Sequence, residues 1–561
     1  MKLSATFCVF LALVLTVSGM GCSSEDAEPP GSNEDETPAT EQEAADGDED
    51  EDDSTPEDVV LKVGSTKPFK TTNKFADYWY GVLTNLTTHD SLIKLDSDMK
   101  PTPWLASDWS ISDDSTEFTF TIRDDAAWHD GEPVDPEDVA FSIEYYRDRD
   151  PKAGWMEDVV EDVTVDGNDV TLHLARSYGN LMTEFMTYSI IPEHIWGDVE
   201  DPLTYDGEDR VVGSGPFKLV RWDEAAGVFV FEANDSYSGE ITVDRLEVHV
   251  FRTMDALVMA LRNGQIDTWW DYSGEFPYTH VPPLLKSGDT EFATATFLGV
   301  PAALGFNLER EPNNDRTFRE AVSYAINYQQ IADLVFAGYG SVPTYGFIPM
   351  THPNFNDSID SLAYDPDTAG ELLDSLGMVD TNDDGVREDE SGDDVRVTLL
   401  TRGDQASTVR TTELVAENLR DVGIACDVDA KDSSTWIATK DEGEYDLVFF
   451  RATPWGTLMH AANASGYFDV RRTGAGVLHN LSADEYLETC DARLATAVPE
   501  EQEALDLKLQ ELHEEYLPGI ALVWIDSVYP YREGWDNWTI DHIYGGVVNS
   551  FSWFTVTKTT P

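Results

Sequence analysis

Basic residues are scarce in this chain of 561 residues. It contains 36 Lys and Arg against 108 Asp and Glu, which gives a formal net charge of −72. A surface of this sign repels the phosphate backbone of nucleic acids, so nucleic acid is excluded as a partner. The acidity fits a salty habitat, where ions screen self-repulsion, and it also fits a cationic ligand. Its spread along the whole chain favours the habitat.

Cysteine is also rare, with four residues in the chain. Cys8 lies in the N-terminal apolar run and Cys22 just beyond it, which leaves Cys426 and Cys490 for the body of the protein. An exported protein permits a disulfide between these two. Sequence alone does not place their Cα atoms within bridging distance, so a disulfide and two buried thiols both stay open.

Long apolar runs are missing apart from Phe7 to Val17 at the N-terminus. A lysine before this run and small residues after it are typical of an export signal, and the run is too short for a membrane-spanning helix. Residues 18–24 read SGMGCSS, which resembles a bacterial lipoprotein cleavage site, with Gly rather than the usual Leu three residues before the cysteine. We expect a signal peptide over 1–21 and a lipid anchor on Cys22. Ordinary signal-peptidase cleavage is the alternative.

Residues 22–58 contain 17 Asp or Glu, no Lys or Arg, and no aromatic residue. Such a segment cannot bury enough apolar surface to offset its ordering entropy, so we expect a disordered acidic tether that holds the rest of the chain away from the membrane. Without these 17 acids and the one lysine of the leader, residues 59–561 still carry a net charge of −56 out of −72. The tether therefore does not explain the acidity.

Motifs of common hydrolases are absent. The chain has no Gly-x-Ser-x-Gly nucleophile elbow and no His-Glu-x-x-His zinc motif. A glycosidase needs a pair of carboxylates, and 108 acids make coincidental pairs expected. A secreted hydrolase is therefore the alternative from another functional class.

The most informative segment is 101–142. It starts with Pro-Thr-Pro-Trp-Leu-Ala, continues through residues 118–123, which alternate apolar and polar, and then reads Trp-His-Asp-Gly at 128–131. The alternation predicts a half-buried strand, and the glycine suits a tight turn. Asp135 followed by Pro136 predicts the N-cap and first residue of a helix.

His129 and Asp130 in this segment admit two interpretations. They could be a metal-binding or acid–base pair, or they could form a scaffold turn. No second histidine lies nearby at ligand spacing, which favours the turn.

Several further elements follow in order along the chain. They are the hairpin pattern at 158–175, GSGPF at 213–217, GQID at 264–267, Phe306-Asn307 with a helix after Asp315, YDPD at 364–367, the strand pattern at 445–450 and YLPGIAL at 516–522. Together with 101–142, this order resembles the peptide/nickel family of extracellular solute-binding proteins, family 5, which serve ABC importers. The resemblance runs from about residue 59 to 555.

The resemblance implies an α/β periplasmic-binding-protein fold with two lobes joined by crossing strands and an extra subdomain inserted in lobe I, the cluster C type. We place lobe I at 59–99, 211–304 and 526–561, the inserted subdomain at 100–210 and lobe II at 305–525. The solute would be enclosed between the lobes by hinge closure.

The loop at 451–460, which reads RATPWGTLMH, lines the cleft in the family. Peptide-binding members often carry an Asp here that pairs with the peptide's α-amino group, but this chain has no acid between positions 449 and 466. Nickel-binding relatives have an Arg-Thr-Trp-Gly-like run with a histidine downstream, which Arg451, Trp455 and His460 loosely match. We predict ligand contacts by these three, with core packing as the alternative for Trp455 and an ordinary polar role for His460.

Two aromatic clusters are further candidates for ligand contact. Tyr78, Trp79 and Tyr80 follow the first strand, and Trp269 and Trp270 follow the Gly-Gln-Ile-Asp element. By family analogy both segments face the cleft, where flat apolar walls suit a small organic ligand. Core packing is the alternative for each.

The acidic loop that begins at Asp380 resembles a calcium loop. Asp380, Asn382 and Asp384 supply oxygens at positions 1, 3 and 5, and Gly385 allows the sharp turn at position 6. Position 12 is Ser391 rather than the usual Glu, so the full pattern fails. We expect a structural calcium ion here, and a solvated acidic turn is the alternative.

The sequence thus predicts an exported, membrane-anchored lipoprotein that binds a solute for an ABC importer. We expect a monomer without catalytic residues, and no cofactor beyond the structural calcium. Its partners would be a peptide or similar small organic solute and the membrane permease. A nickel chelate is the second choice of solute, and a sensor or adhesion module that lost transport is a further alternative.

Overall fold

A computed structural model describes residues 58–270, 272, 276–296, 299, 302–404, 406–451, 466–471, 478, 481–541 and 546–559. The signal peptide, the lipidation candidate Cys22 and nearly all of the acidic tether lie outside these residues. Among the described helices, none combines the length and the apolar character needed to cross a bilayer.

Twenty strands are described. They are β1 (Val60–Ser65), β2 (Ile93–Leu95), β3 (Pro101–Pro103), β4 (Ala106–Ile111), β5 (Glu117–Ile122), β6 (Val160–Asp166), β7 (Asp169–Leu174), β8 (Phe217–Asp223), β9 (Val228–Ala233), β10 (Arg245–Val250), β11 (Thr268–Trp269), β12 (Thr290–Thr296), β13 (Ala302–Phe306), β14 (Gly340–Ser341), β15 (Arg396–Arg402), β16 (Ala425–Lys431), β17 (Leu447–Phe450), β18 (Gly519–Arg532), β19 (Trp535–Asp536) and β20 (Thr557–Lys558).

Thirteen α-helices are described between the strands. They are α1 (Tyr78–Thr87), α2 (Pro136–Arg149), α3 (Leu181–Phe185), α4 (Glu193–Trp196), α5 (Met254–Arg262), α6 (Val281–Ser287), α7 (Arg316–Ala325), α8 (Tyr328–Val335), α9 (Pro366–Ser375), α10 (Ala406–Asp421), α11 (Ser433–Asp441), α12 (Asp484–Ala495) and α13 (Pro499–Tyr516).

The long strand β18 joins the two halves of a twelve-stranded sheet, ordered β16-β15-β17-β13-β18-β11-β1-β10-β9-β8 with β12 and β14 also on β18. Its first half pairs antiparallel with β13, where Gly519 lies opposite Gly305. Its second half pairs antiparallel with β12, where Asp526 lies opposite Thr296. One strand therefore belongs to both lobes, which confirms the two-lobed fold with crossing strands.

Lobe I is built on β1, which lies parallel to β10 on one side and to β11 on the other. Other elements cover both faces of a parallel strand in an α/β lobe, and accordingly Leu61 and Val63 of β1 are fully buried. The C-terminal segment returns to this core, where Trp535 and Trp553 pack with Phe217.

The inserted subdomain has its own four-stranded antiparallel sheet, ordered β4-β5-β7-β6, and its own core. The predicted strand at 118–123 is β5, with Phe118, Phe120 and Ile122 buried. The Asp135 carboxylate caps α2 by accepting from the Asp138 backbone N–H at 2.9 Å. The Asp138 carboxylate in turn accepts from the Asp135 backbone N–H at 3.2 Å. Both local predictions are confirmed.

The Trp-His-Asp-Gly turn at 128–131 fastens this subdomain to lobe I. The Trp128 indole donates to the Asp138 carboxylate at 3.0 Å. His129 accepts from the Gly213 backbone through Nδ1 at 3.2 Å, and its Nε2 donates to the Gly215 carbonyl at 3.0 Å. Burial lowers the pKa of His129 to about 4, which keeps the ring neutral. Because backbone groups occupy both ring nitrogens, the residue is part of the scaffold.

Lobe II contains the parallel strands β16, β15 and β17, with β13 and β18 antiparallel at the other edge. Cys426 lies in its main core and Cys490 in a separate cluster near β18. Both are buried and neither is in a disulfide, and burial raises the pKa of Cys426 to about 12. The structure therefore decides for two buried thiols and against the disulfide.

Lobe II also contacts the inserted subdomain, through the turn between α12 and α13. We call residues 494–497 the α12–α13 turn. The Gly179 backbone donates to the Leu494 carbonyl at 2.8 Å, and the Ala497 backbone donates to Ser115 Oγ at 3.0 Å. Gln502 Nε2 donates to the Gly179 carbonyl at 2.9 Å. The subdomain therefore forms part of the contact between the lobes.

Candidate ligand-binding cleft

A cleft of about 130 Å³ that opens to solvent lies between lobe I and the inserted subdomain. Its walls come from α1 and the segment before it, the end of α2, the segment after α3 and the segment after β11. Its lining consists of Lys74, Phe75, Tyr78, Gly81, Val82, Asn85, Tyr146, Asp150, Lys152, Thr187, Tyr188 and Tyr272. Segments far apart in the sequence therefore meet at one place.

The first turn of α1 sets the direction of its aromatic side chains. Asp77 caps the helix by accepting from the backbones of Trp79 at 2.9 Å and Tyr80 at 3.1 Å. Neighbouring residues of a helix point to different sides, so Tyr80 enters the lobe I core while Tyr78, 43 % exposed, faces the cleft. A single cap therefore fixes which tyrosine is available to a ligand.

Aromatic rings form most of the apolar wall. The Tyr78 ring lies 6.3 Å from that of Tyr272, and the Tyr146 ring lies 5.5 Å from Phe75 and 5.1 Å from Tyr188. Burial raises the pKa of Tyr146 and of Tyr188 well above its ordinary value, so both hydroxyls stay neutral. Flat rings with neutral hydroxyls offer stacking surface and a few hydrogen bonds to an organic molecule.

Lys74 is the most deeply buried cation of the cleft, with 7 % of its surface exposed. Its Nζ donates to the hydroxyl of Tyr146 at 3.0 Å and to Ser189 Oγ. Burial lowers its pKa to about 7, opposed by the charge of Asp150. Lys74 therefore gives up its proton more readily than a lysine in water does.

Asp150 and Lys152 lie beside Lys74. The Asp150 carboxylate accepts from the Lys152 backbone at 3.0 Å, and Lys152 Nζ donates to the Phe75 carbonyl at 2.8 Å. Burial raises the pKa of Asp150, whereas the Lys152 side chain is exposed. With both lysines protonated, the ionisable lining carries two positive charges against one negative.

Of the predicted aromatic residues, Tyr78 lines the cleft. Trp79 is half-buried beside it and packs against the lobe I core. Tyr80 and Trp270 are buried in the lobe I core, and Trp269 is buried in the large cluster that spans both lobes. The structure thus places these last three among core residues rather than along the cleft.

Of the three predicted residues of the loop at 451–460, the structure describes one. Arg451 is described, half-buried at the end of β17. Trp455 and His460 lie outside the described residues. Their contacts with a ligand stay predictions.

Sequence reasoning missed Lys74, Asp150, Lys152 and Tyr188. None of them belongs to a motif, and no spacing connects them. One weak signal was present, because lysines are few in so acidic a chain and Lys74 stands directly before Phe75.

The acidic loop of lobe II brings carboxylates together away from the cleft. Ligand atoms of Asp380, Asp384 and Glu388 lie within 4.8 Å of one another. Glu388 is buried and was not predicted. Its carboxylate accepts from the Thr381 backbone at 2.7 Å and from Asn382 Nδ2 at 2.5 Å. Asn382 therefore supports Glu388 through its amide nitrogen.

The family model for bacterial extracellular solute-binding proteins, family 5 (middle region), matches residues 100–471, which is more than half of the chain. The chain belongs to this family. Family 5 proteins are the solute-binding components of ABC importers and are not catalytic, so the prediction of a non-enzyme is confirmed.

Individual relatives support the family 5 assignment. The chain is 25% identical over 380 residues to the nickel-binding periplasmic protein of Escherichia coli, covering 66% of this chain and 70% of the relative. It is 23% identical over 487 residues to the glutathione-binding protein GsiB of Salmonella paratyphi A, covering 83% and 88%.

Solved structures of other proteins share the fold. The structure of NikA from Brucella suis in complex with Fe(III)-EDTA superposes with a TM-score of 0.75 at 21% identity, covering 89% of this chain and 100% of the other. HbpA2 from Haemophilus parasuis gives a TM-score of 0.76 at 16% identity, with the same coverage. The cluster C type of periplasmic-binding-protein fold is thereby confirmed.

Proposed function

We propose that this family 5 protein captures a peptide or a similar small organic solute in the cleft beside Tyr78 and delivers it to the permease of an ABC importer. The observation that carries the proposal is the lining of the cleft. Four tyrosines and a phenylalanine provide apolar surface, and a few buried polar groups converge on the same space. Such a mixture is typical of pockets for organic ligands.

Hinge closure is part of this proposal. β18 runs through both lobes, and the α12–α13 turn of lobe II hydrogen-bonds to the inserted subdomain at Gly179 and Ser115. The described lining of the cleft belongs to lobe I and the inserted subdomain, so closure would have to bring lobe II against a ligand held there. Such a ligand would favour the state in which these contacts form, because a ligand shifts a conformational equilibrium by its difference in affinity for the two states.

A nickel chelate is the second candidate solute. The nickel-binding relative and the loop residues Arg451, Trp455 and His460 favour it. Within the described lining, however, there is no histidine or cysteine, the side chains that bind nickel most readily. The lining as described therefore favours an organic solute over direct ligation of a metal.

The proposed function is tested by native mass spectrometry of protein purified without denaturation, followed by thermal unfolding with peptides, glutathione, sugars and nickel–histidine. We expect a retained organic mass, and a rise of the unfolding midpoint with at least one peptide or related compound. A response to nickel–histidine alone would favour the second candidate. Turnover of a panel compound would overturn both.

We also propose that Cys22 carries the lipid anchor and that residues 22–58 form the tether. Support comes from the lipoprotein-like sequence around Cys22 and from the 17 acids of the tether. Cys22→Ser should move the protein from the membrane fraction to the soluble fraction of the producing cell.

For the acidic loop we propose a structural calcium ion held by Asp380, Asp384 and Glu388, with Asn382 as a supporting residue. The closeness of the three carboxylates supports it, since hard cations prefer several oxygen ligands. Glu388 takes the place of the glutamate missing at position 12.

A further inference from the structure

Lys74 is a buried cation to which no carboxylate of the described residues is bound. Its Nζ has three hydrogens as an ammonium, and among the described residues it donates to two acceptors, Tyr146 and Ser189. Asp150, the acid whose charge acts on Lys74, accepts from a backbone nitrogen and forms no ion pair with Lys74 within the described part of the chain. One hydrogen of Lys74 is thus left over in a residue that lines the cleft.

The charge of the cleft is opposite to that of the protein. Lys74 and Lys152 outnumber Asp150 in the lining, whereas residues 59–561 carry −56. Burying an unpaired ammonium is unfavourable, so buried charges are normally matched by a partner. When Lys74 is protonated, its buried charge lacks a bound carboxylate among the described residues, and an anionic ligand would supply one.

We infer that Lys74 binds a carboxylate of the solute, which makes the solute of the proposed function an organic acid with apolar groups, such as a peptide with a free C-terminus. The third hydrogen of the Lys74 ammonium and its positive charge match a carboxylate with one negative charge. Phe75, Tyr78 and Tyr272 lie around the same space and would contact the apolar groups. The inference rests on the proposed function and specifies its ligand.

Binding of a carboxylate would change the protonation of Lys74. Free Lys74 has a pKa of about 7 because burial disfavours its charge. The groups facing it are Tyr146 and Asp150 at the end of α2, Lys152 just after it, Ser189, Lys94 of β2 and His89. A bound carboxylate raises the pKa of Lys74, so the protein takes up protons on binding above pH 7. The affinity therefore falls as pH rises from about 7 to 9, since more Lys74 must then be protonated.

The test compares two pools of random tri- to pentapeptides, one with free C-termini and one with C-terminal amides. Binding is measured by native mass spectrometry and by calorimetry in buffers of different ionisation enthalpy. Wild type should prefer the free acids by at least about tenfold, as expected for loss of one charged hydrogen bond. It should also take up a fraction of a proton at pH 7.5. Lys74→Met should bind both pools equally and take up none.

Lys74→Gln is the second variant, because it keeps a donor for Tyr146 and Ser189 without the charge. Lys100→Met, at an exposed lysine that begins the inserted subdomain, is the matched control and should behave as wild type. Equal binding of both pools by wild type would overturn the inference and leave the proposed function standing. Binding of neither pool, with no organic acid retained, would overturn both.

Discussion

The contact between the α12–α13 turn and Gly179 gives the sharpest test of closure. A Cβ placed on Gly179 would lie 2.1 Å from the Thr496 carbonyl oxygen and 3.1 Å from that of Arg493. Its backbone is not in the left-handed region, so alanine suits the conformation of residue 179 itself. Gly179→Ala therefore disturbs the contact with lobe II while leaving the subdomain fold intact.

The expected loss of stability of the closed state follows from the contacts that Gly179→Ala would separate. An ordinary contact between carbon and oxygen is well above 3 Å, so the turn has to retreat by about 1 Å. That shift breaks the bonds from Gly179 to Leu494, from Gln502 to Gly179 and from Ala497 to Ser115. At about 1 kcal/mol net for each bond, the closed state loses about 2–3 kcal/mol. Ligand affinity should then fall about 30- to 150-fold.

Two measurements check this prediction. Hydrogen exchange should show faster exchange at the Gly179 and Ala497 amides, since both donate across the contact. Affinity for a ligand found in the panel should fall by the stated factor. Gly403→Ala is the control, because its nearest atom would lie at an ordinary 3.5 Å. Unchanged exchange together with affinity within twofold of wild type would refute the role of this contact in closure.

Four further outcomes are expected. The pKa of Lys74 is lower in the folded protein than in the unfolded chain, so the unfolded chain binds more protons between about pH 7 and 10. The free energy of unfolding therefore rises with pH over this range because of Lys74, and urea titrations should show that Lys74→Met removes this rise. Asp506→Asn should lower the free energy of unfolding by about 3–5 kcal/mol, because the buried Arg493, bonded to Asp506 at 2.8 Å, loses its partner; a loss under 1 kcal/mol in thermal unfolding would contradict this. Calcium should raise the unfolding midpoint of wild type but not of Asp380→Asn, and equal response of the two would disprove the proposed ion. Cys22→Ser should abolish incorporation of labelled fatty acid, and continued labelling would place the lipid elsewhere.

Local structure could be predicted from the sequence because short-range rules decide it. The alternation at 118–123 specified β5, and Asp135 with Pro136 specified the start of α2. The tight turn at Gly131 followed from its position after His129 and Asp130, and its φ of 98° agrees with that role. Each of these depends on neighbours within a few residues, so one sequence was enough.

The family could also be predicted, because its motifs occur in a fixed order along the chain. That order implied two lobes, an inserted subdomain and no catalysis. It did not determine which aromatic residues face the solute. Tyr78 and Tyr80 are two positions apart in one helix, and the cap at Asp77 together with the packing of lobe I decides that Tyr80 is buried and Tyr78 is not.

Only the tertiary structure decided what the cleft contains. Lys74, Asp150, Tyr188 and Tyr272 come from four separate segments, and no sequence pattern relates one to another. The charge of Lys74 likewise depends on burial by distant residues, since a lysine in water has an ordinary pKa. The scarcity of basic residues was visible from the start. That one of them lies buried in the cleft, with no carboxylate of the described residues bound to it, follows from the long-range packing of the segment before α1 against the inserted subdomain.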